Sequence, residues 1–159
     1  NGFNTTTGSW PGSWNPSNAV RFISGCGYCY TGCCGCYTNP PCTLKNNAAS
    51  IQLNHGGSMY RTISTSGYSG ITVSYYLGAY SLTGSQNIQA QWRPDGSSSW
   101  ITLNQMGAGD NGKFNYFSST LPSTADNKAT FQLRFILSSG TWDQDYGFVD
   151  DVRVTGTHI

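Results

Sequence analysis

Apolar and polar residues alternate at period two along most of this chain, the spacing that a half-buried β-strand imposes on its side chains. Over 70–80, Ile71, Val73, Tyr75, Leu77 and Ala79 alternate with Thr72, Ser74, Tyr76, Gly78 and Tyr80. Ile88, Ala90 and Trp92 alternate with Gln89, Gln91 and Arg93, and Phe131, Leu133, Phe135 and Leu137 with Gln132, Arg134 and Ile136. Shorter runs predict strands at Ala19–Ile23, Ala49–Leu53 and Met59–Ile63, and a weaker one at Phe114–Phe117. Pro94-Asp95-Gly96 turns the chain, so Trp100–Leu103 returns as the hairpin partner of the strand before it. No stretch keeps a helical period over three turns. Short strands in this number, separated by turn signals, predict an all-β, antiparallel β-sandwich.

The closing strand breaks the rule it otherwise follows. At period two, Tyr146, Phe148, Asp150, Val152 and Val154 share the apolar face, while Val149, Asp151 and Arg153 share the other. Asp150 is therefore expected to point inward. A buried carboxylate needs a cation, an Arg or several N–H donors, because leaving it unpaired costs several kcal/mol, on the order of 3–5.

Before Ala19 the pattern stops. Residues 1–18 read as an irregular or edge-like arm anchored by Phe3, Trp10 and Trp14, and residues 19–159 read as one domain. Asn4-Thr5-Thr6 is an acceptor for N-glycosylation at Asn4, whereas Asn15-Pro16-Ser17 is blocked by its proline. Cys26, Cys29, Cys33, Cys34, Cys36 and Cys42 all fall in one loop over 24–45. An even count in a loop too polar to hold itself by packing points to disulfide staples. A zinc or iron–sulfur site and a redox dithiol are the competing readings, and six cysteines permit 15 pairings.

Composition narrows the partners. Charged residues make up 9% of the chain and all seven acids are Asp, against about 25% charged residues in average soluble proteins. A net charge of +1 without a basic run argues against nucleic acid and anionic membrane. No apolar run approaches the roughly 20 residues of a membrane helix. Abundant Gly, Ser, Thr, Asn and Tyr suit an extracellular β-protein, and a chain that starts at Asn1 without a signal peptide is expected to be a processed, secreted one.

Three stretches resemble one known group. Arg61–Val73 (RTISTSGYSGITV), the Gln91–Gly96 hairpin with Trp100, and the ending Tyr146–Val152 (YGFVDDV) resemble secreted galactose-binding-like jelly rolls. That group includes MAM-type adhesion domains and several carbohydrate-binding modules. The resemblance covers roughly residues 61–156 and implies a jelly-roll sandwich, with the Cys-rich loop as an insertion. It also implies that Asp150 helps hold a structural Ca²⁺ near the N-terminal strand. Relatives usually supply a Glu there, where this chain has Gly2-Phe3-Asn4. A missing acid lowers the ligand charge on which Ca²⁺ affinity depends. The competing partner for Asp150 is a set of backbone N–H groups of the arm.

Catalysis finds little support. His55 and His158 are the only imidazoles, and no nucleophile elbow, P-loop or His-Glu-x-x-His motif occurs. Asp143, Asp145, Asp150 and Asp151 cluster too closely to straddle a glycosidic bond. Polar strand phases carry Tyr76, Tyr80, Gln89, Gln91, Arg93, Gln132 and Arg134, and also Arg153. Aromatic rings beside planar amides and guanidinium groups suit sugars, and tyrosine-rich faces also suit protein contacts. The favoured expectation is a non-catalytic extracellular structural or adhesive subunit. It would self-associate into a homo-oligomer, fibre or matrix through its arm or a sheet edge. The alternative is a carbohydrate-binding module that takes glycans on the outward sheet face.

Overall fold

The computed structural model describes residues 14–21, 51–138 and 145–159, with backbone only at 16–21 and 51–55. Asn4, Asp143 and the six cysteines lie outside the described residues, as does any contact of residues 1–13. Eight strands are described: β1 (Asn15–Arg21), β2 (Ile51–Ile63), β3 (Tyr68–Tyr80), β4 (Asn87–Arg93), β5 (Ile101–Gly107), β6 (Phe114–Thr120), β7 (Phe131–Leu137) and β8 (Tyr146–His158). Every described pairing is antiparallel.

Hydrogen bonding links the strands in the order β5-β4-β7-β2-β8-β3-β6, with β1 beside β2. The path folds into two layers because β2 belongs to both. Its residues Ser58–Ile63 pair with β7, and Ile51–Leu53 pair with β8. Between those halves Gly56 takes φ +68, a left-handed conformation that glycine adopts without steric penalty. The sequence pattern suggests two short strands here, and the chain makes one long bent strand. One layer is β5-β4-β7 with the second half of β2, and the other is β6-β3-β8 with the first half.

The alternating apolar residues meet between the layers. Tyr75 of β3 packs edge-on against Phe135 of β7, with ring centroids 5.1 Å apart. Met59, Val73, Leu77, Ile88, Leu133 and Val149 are fully buried around them. The Tyr75 hydroxyl donates to Asn104 Oδ1 on β5, so the one polar atom of that ring is satisfied. Burial pushes the Tyr75 phenol well above its ordinary range. Gly147 lets β8 approach β4, since a Cβ there would come within 2.5 Å of Ile88.

Two expectations shift at the N-terminal side. The boundary at residue 18 falls inside β1, which begins at Asn15 and pairs with Tyr60 of β2. Asn, Pro and Ser read as loop, but a proline is tolerated on an edge strand, where its missing N–H is not needed. Trp14 is buried and its ring lies 6.0 Å from that of Phe135. The described end of the arm is therefore held by its own sandwich.

The phase of β8 is also corrected. Register slips between Asp150 and Arg153, where two residues of β8 oppose Tyr75 alone, and Asp151 takes φ +49. Such a bulge inverts the faces across it. Val149 opposes inward Leu77 and Val154 opposes inward Val73, whereas Tyr146, Phe148 and Asp150 oppose Tyr80, Gly78 and Tyr76. Asp150 thus lies on the outer phase of its layer, yet it is buried.

Candidate functional site: the outer face of the β5-β4-β7-β2 layer

The polar phases of four strands converge on this face. Cross-strand register sets Tyr60, Arg134, Gln91 and Thr102 in one row, and Thr62, Gln132 and Arg93 in the next. Their side chains form a ladder. Arg134 donates from Nε (2.9 Å) and Nη2 to Gln91 Oε1, and Gln91 Nε2 donates to Gln89 Oε1 at 2.7 Å. Gln89 Nε2 donates to Gln105 Oε1 at 3.2 Å. In the neighbouring row, Arg93 Nε donates to Gln132 Oε1 at 2.7 Å, and Gln132 Nε2 donates to Thr62 Oγ1 at 3.0 Å. Each amide thereby has one orientation, while retaining lone pairs and N–H groups beyond those the ladder uses.

Trp100 is set against the ladder by the hairpin that precedes it. Asp95 Oδ1 accepts from the backbone N–H groups of Ser97 and Ser98, both at 2.9 Å, and from their hydroxyls at 2.7 and 3.0 Å. Those bonds hold the Asp95 carboxyl down at about 2, the Ser97 hydroxyl contributing most. The Ser98 carbonyl accepts from Arg93 Nη1 at 3.2 Å, tying the turn to the sheet. The Arg93 and Arg134 guanidinium carbons lie 4.2 and 4.1 Å from the Trp100 ring centroid, both in cation–π range. Burial, and then the like charge of Arg93, hold the Arg134 guanidinium below its ordinary value.

The expected contact face is divided by the structure. Gln89, Gln91, Arg93, Gln132 and Arg134 come together here, but Tyr76 and Tyr80 lie on β3, on the outer face of the opposite layer. Alternation along a strand tells which residues face outward, not which layer the strand joins. On that second face Tyr76 stacks on Phe114 (5.8 Å) and Tyr80 on Tyr146 (6.2 Å). Arg153 pairs there with Asp151 at 3.2 Å. Trp100, Thr62, Tyr60 and Gln105 complete the first face and were not singled out as site residues. Trp100 sits outside the alternating pattern, at the mouth of the hairpin; the resemblance of that hairpin includes it as a mark of fold and not as a site residue.

Asp150 was the candidate Ca²⁺ ligand. Its Oδ1 accepts the Asp151 N–H at 2.7 Å, and its Oδ2 is buried without a partner. Burial pushes its carboxyl up to about 6. Ca²⁺ takes about 6–8 oxygen ligands, and no group of three His, Cys, Asp or Glu gathers among the described residues. The described residues do not by themselves fit a Ca²⁺ site. Asp145 is buried, and its Oδ2 accepts from Gln86 Nε2 at 2.6 Å.

No protein-family model and no curated protein matches this sequence. Solved structures do match. TmCBM61 in complex with β-1,4-galactotriose aligns over 91% of this chain and 89% of its own, with TM-score 0.57 and 7% identity. The CBM22-1 xylan-binding domain of Paenibacillus barcinonensis Xyn10C aligns over 99% and 94%, with TM-score 0.57 and 10% identity. The K2 cleaved adhesin domain of Lys-gingipain aligns over 89% of each chain, with TM-score 0.53 and 13% identity. At these identities the likeness is one of fold, an antiparallel two-layer β-sandwich.

The expectation of a self-associating fibre subunit is corrected. The structures that share the fold include glycan- and xylan-binding modules, which favour the alternative reading. The arm offered as a strand donor to a neighbour is, from Asn15 onward, already paired with β2 of its own chain.

Proposed function

We propose that the protein is a non-catalytic, extracellular carbohydrate-binding module that takes neutral glycans on the outer face of the β5-β4-β7-β2 layer. The observation that carries this reading is Trp100, held against Arg93 and Arg134 beside an ordered ladder of amides. Sugar rings present C–H faces that stack on aromatic rings, and their hydroxyls need directional donors and acceptors. Here both are fixed before a ligand arrives, so less freedom is lost on binding. Tyr60, 37% exposed on the strand beside Arg134, supplies a second aromatic surface. Solved neighbours that bind galactotriose or xylan on the same fold support the substrate class.

Secretion and soluble glycan partners follow from that role, and no helix among the described residues is long and apolar enough to cross a membrane. Galactan and xylan oligosaccharides on a glycan array, followed by calorimetry, test the proposal. Trp100→Ala should weaken binding by about fivefold or more, the factor expected when about 1–3 kcal/mol of aromatic contact is removed, and should leave the melting temperature nearly unchanged. A Trp100→Ala variant that binds as tightly as the parent would overturn it.

A further inference from the structure

Arg61 stands where a hydrophobic residue belongs. Its neighbours on the inward phase of β2 are Met59, fully buried, and Ile63, which packs on the core. Arg61 opposes Leu133, itself buried. Beyond Leu53, β2 leaves β8 and joins β7, so the two strands diverge and a cleft opens between the layers. Its described lining at this level is Trp14, Arg61, Ile63, Val152 and Val154, around a volume of about 240 Å³. A second cavity of about 420 Å³ shares Ile63 and Val154 and continues past Tyr68 to Gly156.

One donor of the guanidinium is left unsatisfied among the described residues. Arg61 Nε is buried without a hydrogen-bond partner, and no ion pair to Arg61 occurs among the described residues. Arg61 as a whole is half-buried, and a buried N–H donor left without a partner costs stability. A guanidinium fork matches a planar carboxylate in two parallel hydrogen bonds. An indole and three aliphatic side chains around it suit the apolar face of a ring. The pocket around Arg61, at about 240 Å³, has room for about one small ring beside the guanidinium.

We propose that this cleft is a second binding site, specific for the carboxylate of a sugar acid, with Arg61 as its anchor. The site is separate from the Trp100 face and does not depend on it. Glucuronate, methyl glucoside and acetate at matched ionic strength are the probes. Glucuronate should produce a saturable rise in melting temperature and should shift the Arg61 Nε–H resonance, while methyl glucoside should do neither. Acetate matching glucuronate would overturn the sugar-acid assignment, because the apolar walls would then contribute nothing.

Arg61→Met should raise the melting temperature without ligand, since it removes a buried donor that has no partner, and should weaken glucuronate binding by roughly tenfold to a hundredfold. Binding of neutral glycan at Trp100 should be unaffected by it. Arg61→Lys, which keeps the charge without the fork, should bind glucuronate more weakly than the parent. A lower melting temperature in Arg61→Met, or a glucuronate response that survives both substitutions, would overturn the proposal.

Discussion

Replacing Asp150 by Asn should stabilise the protein at neutral pH and leave it unchanged in acid. Burial raises the Asp150 carboxyl to about 6 in the folded chain, from an ordinary value of 3.8. Between those values the folded state binds a proton that the unfolded state has already released. Stability from this group is therefore complete below pH 3.8 and is lost as pH rises through 6. A gap of about two pH units at about 1.4 kcal/mol each gives an upper bound near 3 kcal/mol, and relaxation around the buried carboxylate makes about 1–3 kcal/mol the working range. Asn keeps the oxygen that accepts the Asp151 N–H and carries no charge. For a domain of this size about 1 kcal/mol moves the melting temperature by roughly 2–4 °C. Thermal melts in EDTA from pH 3 to 7.5 should show the parent losing stability relative to Asp150→Asn by several degrees as pH rises, the two converging at the acid end. Parallel curves across that range would refute the reasoning. So would a Ca²⁺-dependent gain in the parent that Asp150→Asn lacks, since the carboxylate would then be ionised against a cation.

Two further outcomes follow from local geometry. Asp95→Ala removes four hydrogen bonds that shape the turn before Trp100; glycan affinity should fall several-fold, with Trp100 fluorescence broadened and the melting temperature little changed. Titration should act in the same direction, because the Asp95 carboxyl lies at about 2 and its contribution to the turn is lost as pH falls from 3.8 through that value. Gly147→Ala drives a Cβ to within 2.5 Å of Ile88 and should cost about 1–3 kcal/mol by chemical denaturation, whereas Gly109→Ala, with no atom within 4 Å, should cost under about 1 kcal/mol.

Where the sequence was readable, the reason is that a strand between two layers has only two faces. Ile88, Ala90 and Trp92, and the four apolar residues of β7, alternate without interruption and are all buried, so periodicity alone identifies them. Three features escaped that logic. β2 reads as two strands because Gly56 and Gly57 interrupt its apolar pattern, although a left-handed glycine can bend a strand and leave its pairing intact on both sides. Tyr76 and Gln91 read as one surface because alternation cannot say which layer a strand joins. That is settled by long-range pairing, and it is the bend in β2 that separates them. Asp150 was assigned inward because a bulge leaves no mark in a hydrophobicity pattern: Val152 and Val154 keep the inward phase only after one residue has been absorbed at Asp151. The same strand that misplaces Asp150 thereby shows why Arg61 is exceptional. Its phase on β2 is not in doubt, since Met59, Arg61 and Ile63 oppose Phe135, Leu133 and Phe131 without a slip. A charge at an inward position of a regular ladder cannot be explained by register. What it faces is the cleft between the layers, lined also by Trp14, Val152 and Val154.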